Sequence, residues 1–183
     1  MKRTFILSLA LLILISASAF ARMKGDHSLG GALEVGIPID DDFNNSVGTG
    51  FGLTLNYNRV LTPDIVLIAT TGYIYWAGEE YMGSSWTWGE IPVKGGVKYF
   101  FNNNFYGIGQ LAFHIYSFSM EYTDPYLGKI STSDSETEVG VALGVGYEYP
   151  INDKMTFDAN VRYELNDFDY LAIGAGLNWA LGK

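Results

Sequence analysis

The chain contains no cysteine, which removes disulfides and thiolate metal sites from any account of it. Positive charge is also scarce: 11 Lys and Arg stand against 20 Asp and Glu, a formal net charge of −9. That balance argues against nucleic acid or anionic-lipid headgroups as partners. Proline occurs only five times, and beyond residue 21 no apolar run is long enough for a transmembrane helix. Helical periodicity is missing from the same region, so any embedding in a membrane must be by strands.

What is present is glycine, tyrosine and phenylalanine, at 22, 13 and 11 residues. The first 21 residues stand apart. Met1, Lys2 and Arg3 precede an apolar run from Phe5 to Ile15, and small residues follow at Ala19 and Ala21. This is the pattern of a secretory signal peptide cleaved before Arg22, leaving residues 22–183 as one domain. Losing Lys2 and Arg3 leaves nine basic residues against 20 acidic ones.

The clearest pattern in the remainder lies between Val139 and Leu165. Met155, Phe157, Ala159, Val161, Tyr163 and Leu165 share one face, with Thr156, Asp158, Asn160, Arg162 and Glu164 on the other. Before them Val139, Val141, Leu143, Val145, Tyr147 and Tyr149 alternate with Glu138, Gly140, Ala142, Gly144, Gly146 and Glu148. Pro150 to Lys154 connects the two runs, which predicts an antiparallel hairpin. Each arm has the about 9 to 11 residues a tilted strand needs to cross a bilayer. The face opposite the apolar one is small or of mixed charge, which suits a narrow lumen better than a solvated surface. The apolar face is therefore read as lipid-facing, with Tyr147 and Tyr149 in an interfacial girdle.

Six further strands follow from the same reasoning. Strand one spans Leu29 to Ile37 and ends at Pro38; strand two carries Phe51, Leu53, Leu55 and Tyr57 outward. Strand three, Ile65 to Trp76, is apolar on both parities, and Leu67, Ala69, Tyr73 and Tyr75 are placed outward. Strand four, Trp86 to Phe100, has Pro92 at an unpaired or bulged position. Strand five, Phe105 to Phe118, changes phase between Ile108 and Leu111, which predicts a bulge near Gly109 and Gln110. Strand eight carries Leu171, Ile173, Ala175, Leu177 and Trp179 outward. Residues 39–49, 77–85 and 119–137 read as polar loops, and they alternate with tight turns. The expected fold is all-β: an eight-stranded antiparallel up-and-down transmembrane β-barrel.

The succession Gly50 to Tyr57, Gly72-Tyr73, Ile91-Pro92-Val93, Lys98-Tyr99-Phe100, Phe105-Tyr106-Gly107, Val145-Gly146-Tyr147 and Val161-Arg162-Tyr163 resembles the outer membrane protein β-barrel domain related to the OmpA and OmpX barrels. The resemblance spans essentially the whole chain after the leader and lies in the order and spacing of degenerate motifs. It implies a monomer in the outer membrane of a Gram-negative-type bacterium, contacting outer-membrane lipids and the barrel assembly machinery. An extracellular partner would meet its loops. Such barrels commonly end on an aromatic residue, whereas here Ala180 to Lys183 follow Trp179.

The inward charges expected are Glu34, Lys94, Lys98, Glu138, Glu148, Asp158, Arg162 and Glu164. An eight-stranded lumen is only wide enough to fill with side chains, so these charges must pair, and a structural ion-pair plug is the expected role. In a small gated pore, by contrast, Lys94, Lys98 and Arg162 would exchange carboxylate partners. A lipid-modifying enzyme such as a lipid A deacylase needs a histidine and a serine on one face. His114 with Ser117, and His27 with Ser28, fall on opposite faces, so no catalytic residue is assigned. No cofactor is expected. Asp40, Asp41 and Asp42 lack the spacing of a calcium loop and read as a solvated tip, so no metal is assigned either. Trp86 and Trp88 are placed in an interfacial girdle, and Tyr81, Tyr122 and Tyr126 in loops. The function expected is a structural or adhesion-like surface-contact role; a soluble lipocalin-like carrier is the other barrel reading.

Overall fold

The computed structural model describes residues 26–44, 47–81, 84–124 and 128–182. The expected signal peptide at 1–21 and Tyr126 lie outside them. Among the described residues there are eight strands: β1 (His27–Pro38), β2 (Val47–Thr62), β3 (Ile65–Tyr81), β4 (Ser84–Phe100), β5 (Phe105–Asp124), β6 (Gly128–Asn152), β7 (Met155–Leu165) and β8 (Tyr170–Gly182). One short helix, α1 (Asp41–Asn44), follows β1. Each strand pairs antiparallel with the next, and β1 pairs with β8, so the ring of hydrogen bonds is closed. Closure removes every sheet edge from the zone where lipid would leave it unsatisfied. No helix among the described residues is long and apolar enough to cross a membrane.

Alternation decides which face each strand shows. Leu33, Phe51, Leu53, Leu55, Leu111, Val139 and Val145 are each more than half exposed on the outside, while Thr54, Thr70, Lys94, Gln110, Arg162 and Glu164 are buried inside. The outward placement of Leu67, Ala69, Tyr73 and Tyr75 in β3 holds, and Val66, Ile68, Ile74 and Trp76 point inward. Exposed aromatics collect in two belts. Tyr57, Tyr99, Phe101, Phe105, Phe157 and Trp179 lie toward the turn end, and Phe51, Tyr73, Tyr75 and Phe113 toward the other. Inward glycines let neighbouring strands come close. At Gly144 an added Cβ would collide with the Val161 carbonyl and with the stem of Arg162, which crosses the lumen there.

Three tight turns close one end, each fastened by a side-chain oxygen. Thr62 Oγ1 accepts from the Ile65 N–H at 3.1 Å, and Asn152 Oδ1 from the Lys154 N–H at 2.9 Å. Asn102 Oδ1 accepts from both Asn104 and Phe105, at 2.9 and 2.8 Å. Such short-range bonds fix the hairpin register before distant strands meet.

Several sequence expectations are corrected. β5 has no bulge: its pairing with β4 and with β6 runs unbroken through Gly109 and Gln110. Tyr106 and Ile108 are inside the barrel, buried with Val66, Ile68 and Phe100, so the lumen wall is apolar on this side near the turns and the apparent phase change is a change of filling. At Pro92 the β3–β4 ladder skips from Thr71↔Val93 to Ile74↔Glu90 without a shift in register, so the position is unpaired on that side, not bulged.

The stretches read as loops are largely ordered. β3 and β4 remain paired to Tyr81↔Ser84, and β5 and β6 to Asp124↔Gly128. In the last of these stretches Thr132 to Thr137 are exposed on both parities, which is why no alternation marks the strand. The polar stretch after Pro38 contains α1, which buries Phe43, and Val47 is buried next to it. Asp40 is no free tip: its carboxylate accepts from the Phe43 N–H at 3.0 Å and its carbonyl from the Asn44 N–H at 2.8 Å. The side chains of Asp41, Asp42, Trp86, Tyr81 and Tyr122 lie outside the described residues. Trp88 is not in a lipid girdle; it turns inward against Phe43, Phe118 and Phe168.

Candidate functional site

β4, β7 and β1 bring four of the expected charges to one level of the lumen. Lys94 Nζ lies 2.7 Å from Glu164 Oε1 and 3.9 Å from Glu34 Oε1. Arg162 spans the same two carboxylates, with Nε 3.0 Å from Glu164 Oε1 and Nη2 2.6 Å from Glu34 Oε2. All four are buried. A level below, Lys98 Nζ sits 2.5 Å from Asp158 Oδ2 and 3.0 Å from Glu148 Oε1, and 4.4 Å above the Tyr106 ring. The Tyr106 hydroxyl and Asn160 both donate to Asp158 Oδ1, at 2.8 and 2.9 Å. Arg162 Nη1 donates to Asn160 Oδ1 and ties the two levels together.

Glu138 belongs to neither level. It lies half-buried at the upper end of the barrel wall, held above the ordinary carboxylate range by partial burial and by Asp167 and Glu136 beside it. It sits opposite His114 on β5 but beyond the last β6–β7 pair, where it meets Asp167 and Glu136.

A third level escaped the sequence reading. Glu90 is fully buried and accepts from Trp76 Nε1 at 2.9 Å and from the Tyr170 hydroxyl at 2.8 Å, with His114 Nδ1 at 2.7 Å. The signal for it was available: Glu90 shares its parity with Lys94 and Lys98, and His114 with Gln110. His114 Nε2 faces Glu164 Oε2 at 4.0 Å, which links this level to the one beneath. Ser117 lies exposed on the opposite face of β5 from His114, so the two do not meet. Among the described residues no group of three His, Asp or Glu forms an arrangement that would hold a metal ion.

Apolar packing caps the upper end of this polar column and flanks its lower level. Above, Phe43 packs edge-on against Trp76 at 4.9 Å between centroids, Trp76 against Tyr170 at 4.9 Å, and Trp88 and Phe168 lie alongside. At the lower level, on the β2–β5 side, Val60 joins Val66, Ile68, Phe100, Tyr106 and Ile108, with Val66 and Ile108 the cross-strand neighbours of Lys98. Unpaired charges there would be strongly destabilising; Lys94, Lys98 and Arg162 are shared among the carboxylates of Glu34, Glu148, Asp158 and Glu164, while Glu90 is held by Trp76, His114 and Tyr170.

A second feature lies above the barrel. β7 joins β6 only from Val141↔Leu165 downward, so among the described residues β6 from Gly128 to Gly140 has β5 on one side and no strand on the other. At about 3.4 Å per residue this open edge is roughly 40 Å long. Thr132 to Thr137 are all exposed along it.

A closed eight-stranded barrel with an apolar outside, aromatic belts and a side-chain-filled lumen defines a transmembrane β-barrel protein. The profile of the outer membrane protein β-barrel domain matches residues 7–180, and the chain belongs to that family. Its fold is similar to that of Ail, the attachment invasion locus protein of Yersinia pestis (17% identity, TM-score 0.59, covering 87% of this chain and 100% of that one). The same protein in complex with the heparin analogue sucrose octasulfate gives 18% identity, TM-score 0.57 and the same coverage. The outer membrane protein OprG from Pseudomonas aeruginosa is also similar (14% identity, TM-score 0.60, covering 89% and 99%). No curated protein matches the chain at the sequence level.

Proposed function

We propose that the protein is a monomeric surface-contact barrel of a Gram-negative-type outer membrane, adhesion-like in its action, whose lumen charges form a structural plug. The observation that carries this reading is the open β6 edge, held upright by the paired β3 to β5 strands. Backbone N–H and C=O groups along an edge without a neighbouring strand suit strand addition by a partner protein. Asp134 and Glu136 on that edge, in an acidic chain, favour a basic protein over a sulfated polysaccharide. In this reading residues 1–21 are an export leader removed before Arg22, and the barrel assembly machinery inserts the rest.

Cells displaying the full chain should be retained on a surface coated with basement-membrane matrix. Cells whose chain lacks residues 120–136 should not be, although their barrel still shifts in gel mobility on heating. The outer-membrane fraction should give a mature mass beginning at Arg22. Equal retention of the two strains would refute the contact role.

The enclosed column also sets an electrical expectation. Purified protein in a planar bilayer should give no discrete conductance steps, because Phe43, Trp76 and Tyr170 cap the column above and the buried side chains of Lys94, Arg162, Glu34 and Glu164 cross the lumen beneath them. Reproducible openings whose ion selectivity changes with Lys94→Glu would establish the pore reading instead.

A further inference from the structure

On the outer wall of β2, β3 and β4, toward the turns, the lipid-facing surface is broken by a recess of about 330 Å³. Tyr57, Arg59, Leu67, Ile68, Ala69 and Gly96 line it. Small residues keep it shallow-walled: Ala69 pairs with Gly95 across β3 and β4, and a Cβ added at Gly95 would meet nothing within 4 Å. From the upper aromatic belt down to the turns, the outward parity of the described strands carries a single Arg or Lys, Arg59, and no carboxylate. Arg59 stands opposite His27, whose ring is bonded to the Tyr57 hydroxyl, so the lower rim of the recess is polar and its floor apolar.

An arginine at the edge of hydrocarbon must find water or an anion, and a guanidinium binds a phosphate through two parallel hydrogen bonds. We propose that this recess binds a glycerophospholipid of the periplasmic leaflet. One acyl chain lies over Ala69 and Gly95, and Arg59 holds the phosphodiester. A zwitterionic headgroup fits best, since it presents a phosphate to Arg59 without bringing net negative charge to an acidic protein. The site is independent of the extracellular edge, and neither depends on the other.

The test is native mass spectrometry of the exported chain in mild detergent, with phosphatidylethanolamine and a diacylglycerol of the same acyl chains as probes. The parent should retain one phosphatidylethanolamine, preferred about tenfold over diacylglycerol, the factor expected for one charge-assisted contact. Arg59→Gln should erase that preference. Ala69→Leu and Gly95→Leu, which fill the recess, should lower retention of both lipids. Gly31→Leu, which adds bulk to the wall on β1 where there is room for it, should behave as the parent. Each variant is compared once its heat-dependent gel shift shows a folded barrel, and Gly95→Val takes the place of any filling variant that lacks the shift. Equal retention of the two lipids by the parent, or unchanged retention in Arg59→Gln or in the filling variants, would overturn the proposal. An arginine that merely reaches for interfacial water would give that result.

Discussion

Arg162→Met, refolded into phosphatidylcholine vesicles, should unfold at a lower urea concentration than the parent, by about 3 to 5 kcal/mol. Arg162 touches Glu34, Asn160 and Glu164 together. Without it, Lys94 alone faces two buried carboxylates, at 2.7 and 3.9 Å. The loss comes mainly from stranding Glu34, not from forfeiting the attraction itself. Adding Glu34→Gln to Arg162→Met should therefore recover part of the stability, and a double-mutant cycle measures the coupling. Parent-like stability in Arg162→Met, or a further loss on adding Glu34→Gln, would show that the column does not hold the barrel together.

Leu143→Arg should impair folding into the same vesicles by about 2 to 4 kcal/mol, the penalty for a cation at the hydrocarbon midplane. Leu143 is 53% exposed on the outer wall, between Gly109 on β5 and Tyr163 on β7. Thr156→Arg is the matched control. Thr156 points inward near the turn end, opposite Pro150, where a long cation reaches water, and it should lose under about 1 kcal/mol. Equal or reversed effects would mean that the barrel is inside out in its membrane.

How much could be read from residues alone depended on what each face touches. Where one face meets lipid and the other a polar lumen, alternation is strict, and the outward sets of β2, β6, β7 and β8 were legible from it. The same rule failed where both faces share a character. Tyr106 and Ile108 are apolar inside and Leu111 and Phe113 apolar outside, which imitates a slip in phase. Thr132 to Thr137 are exposed on both parities and imitate a loop. Phe43 and Val47 are single apolar residues within a polar stretch, and only the three-dimensional closeness of Trp76 and Tyr170 reveals them as a cap. The ion-pair levels were legible as a set of inward charges, but not as pairs, because parity gives direction and not height. Glu90 carries the same parity signal; Trp76, Tyr170 and His114, which surround it, come from three different strands.

The short helix α1 has a consequence for the closure of the barrel. It follows β1 directly, and the Ile39 and Asp40 N–H groups both donate to the carbonyl of Asp169, at 2.9 and 3.3 Å, one residue before β8 begins. The cap is thus fastened across the seam where the first and last strands join. Phe43 spans the same seam from above, touching Trp76 on β3 and Phe168 just before β8. The bonds that join the chain's two ends are therefore also those that hold the lid in place, and loosening the seam should loosen the mouth with it.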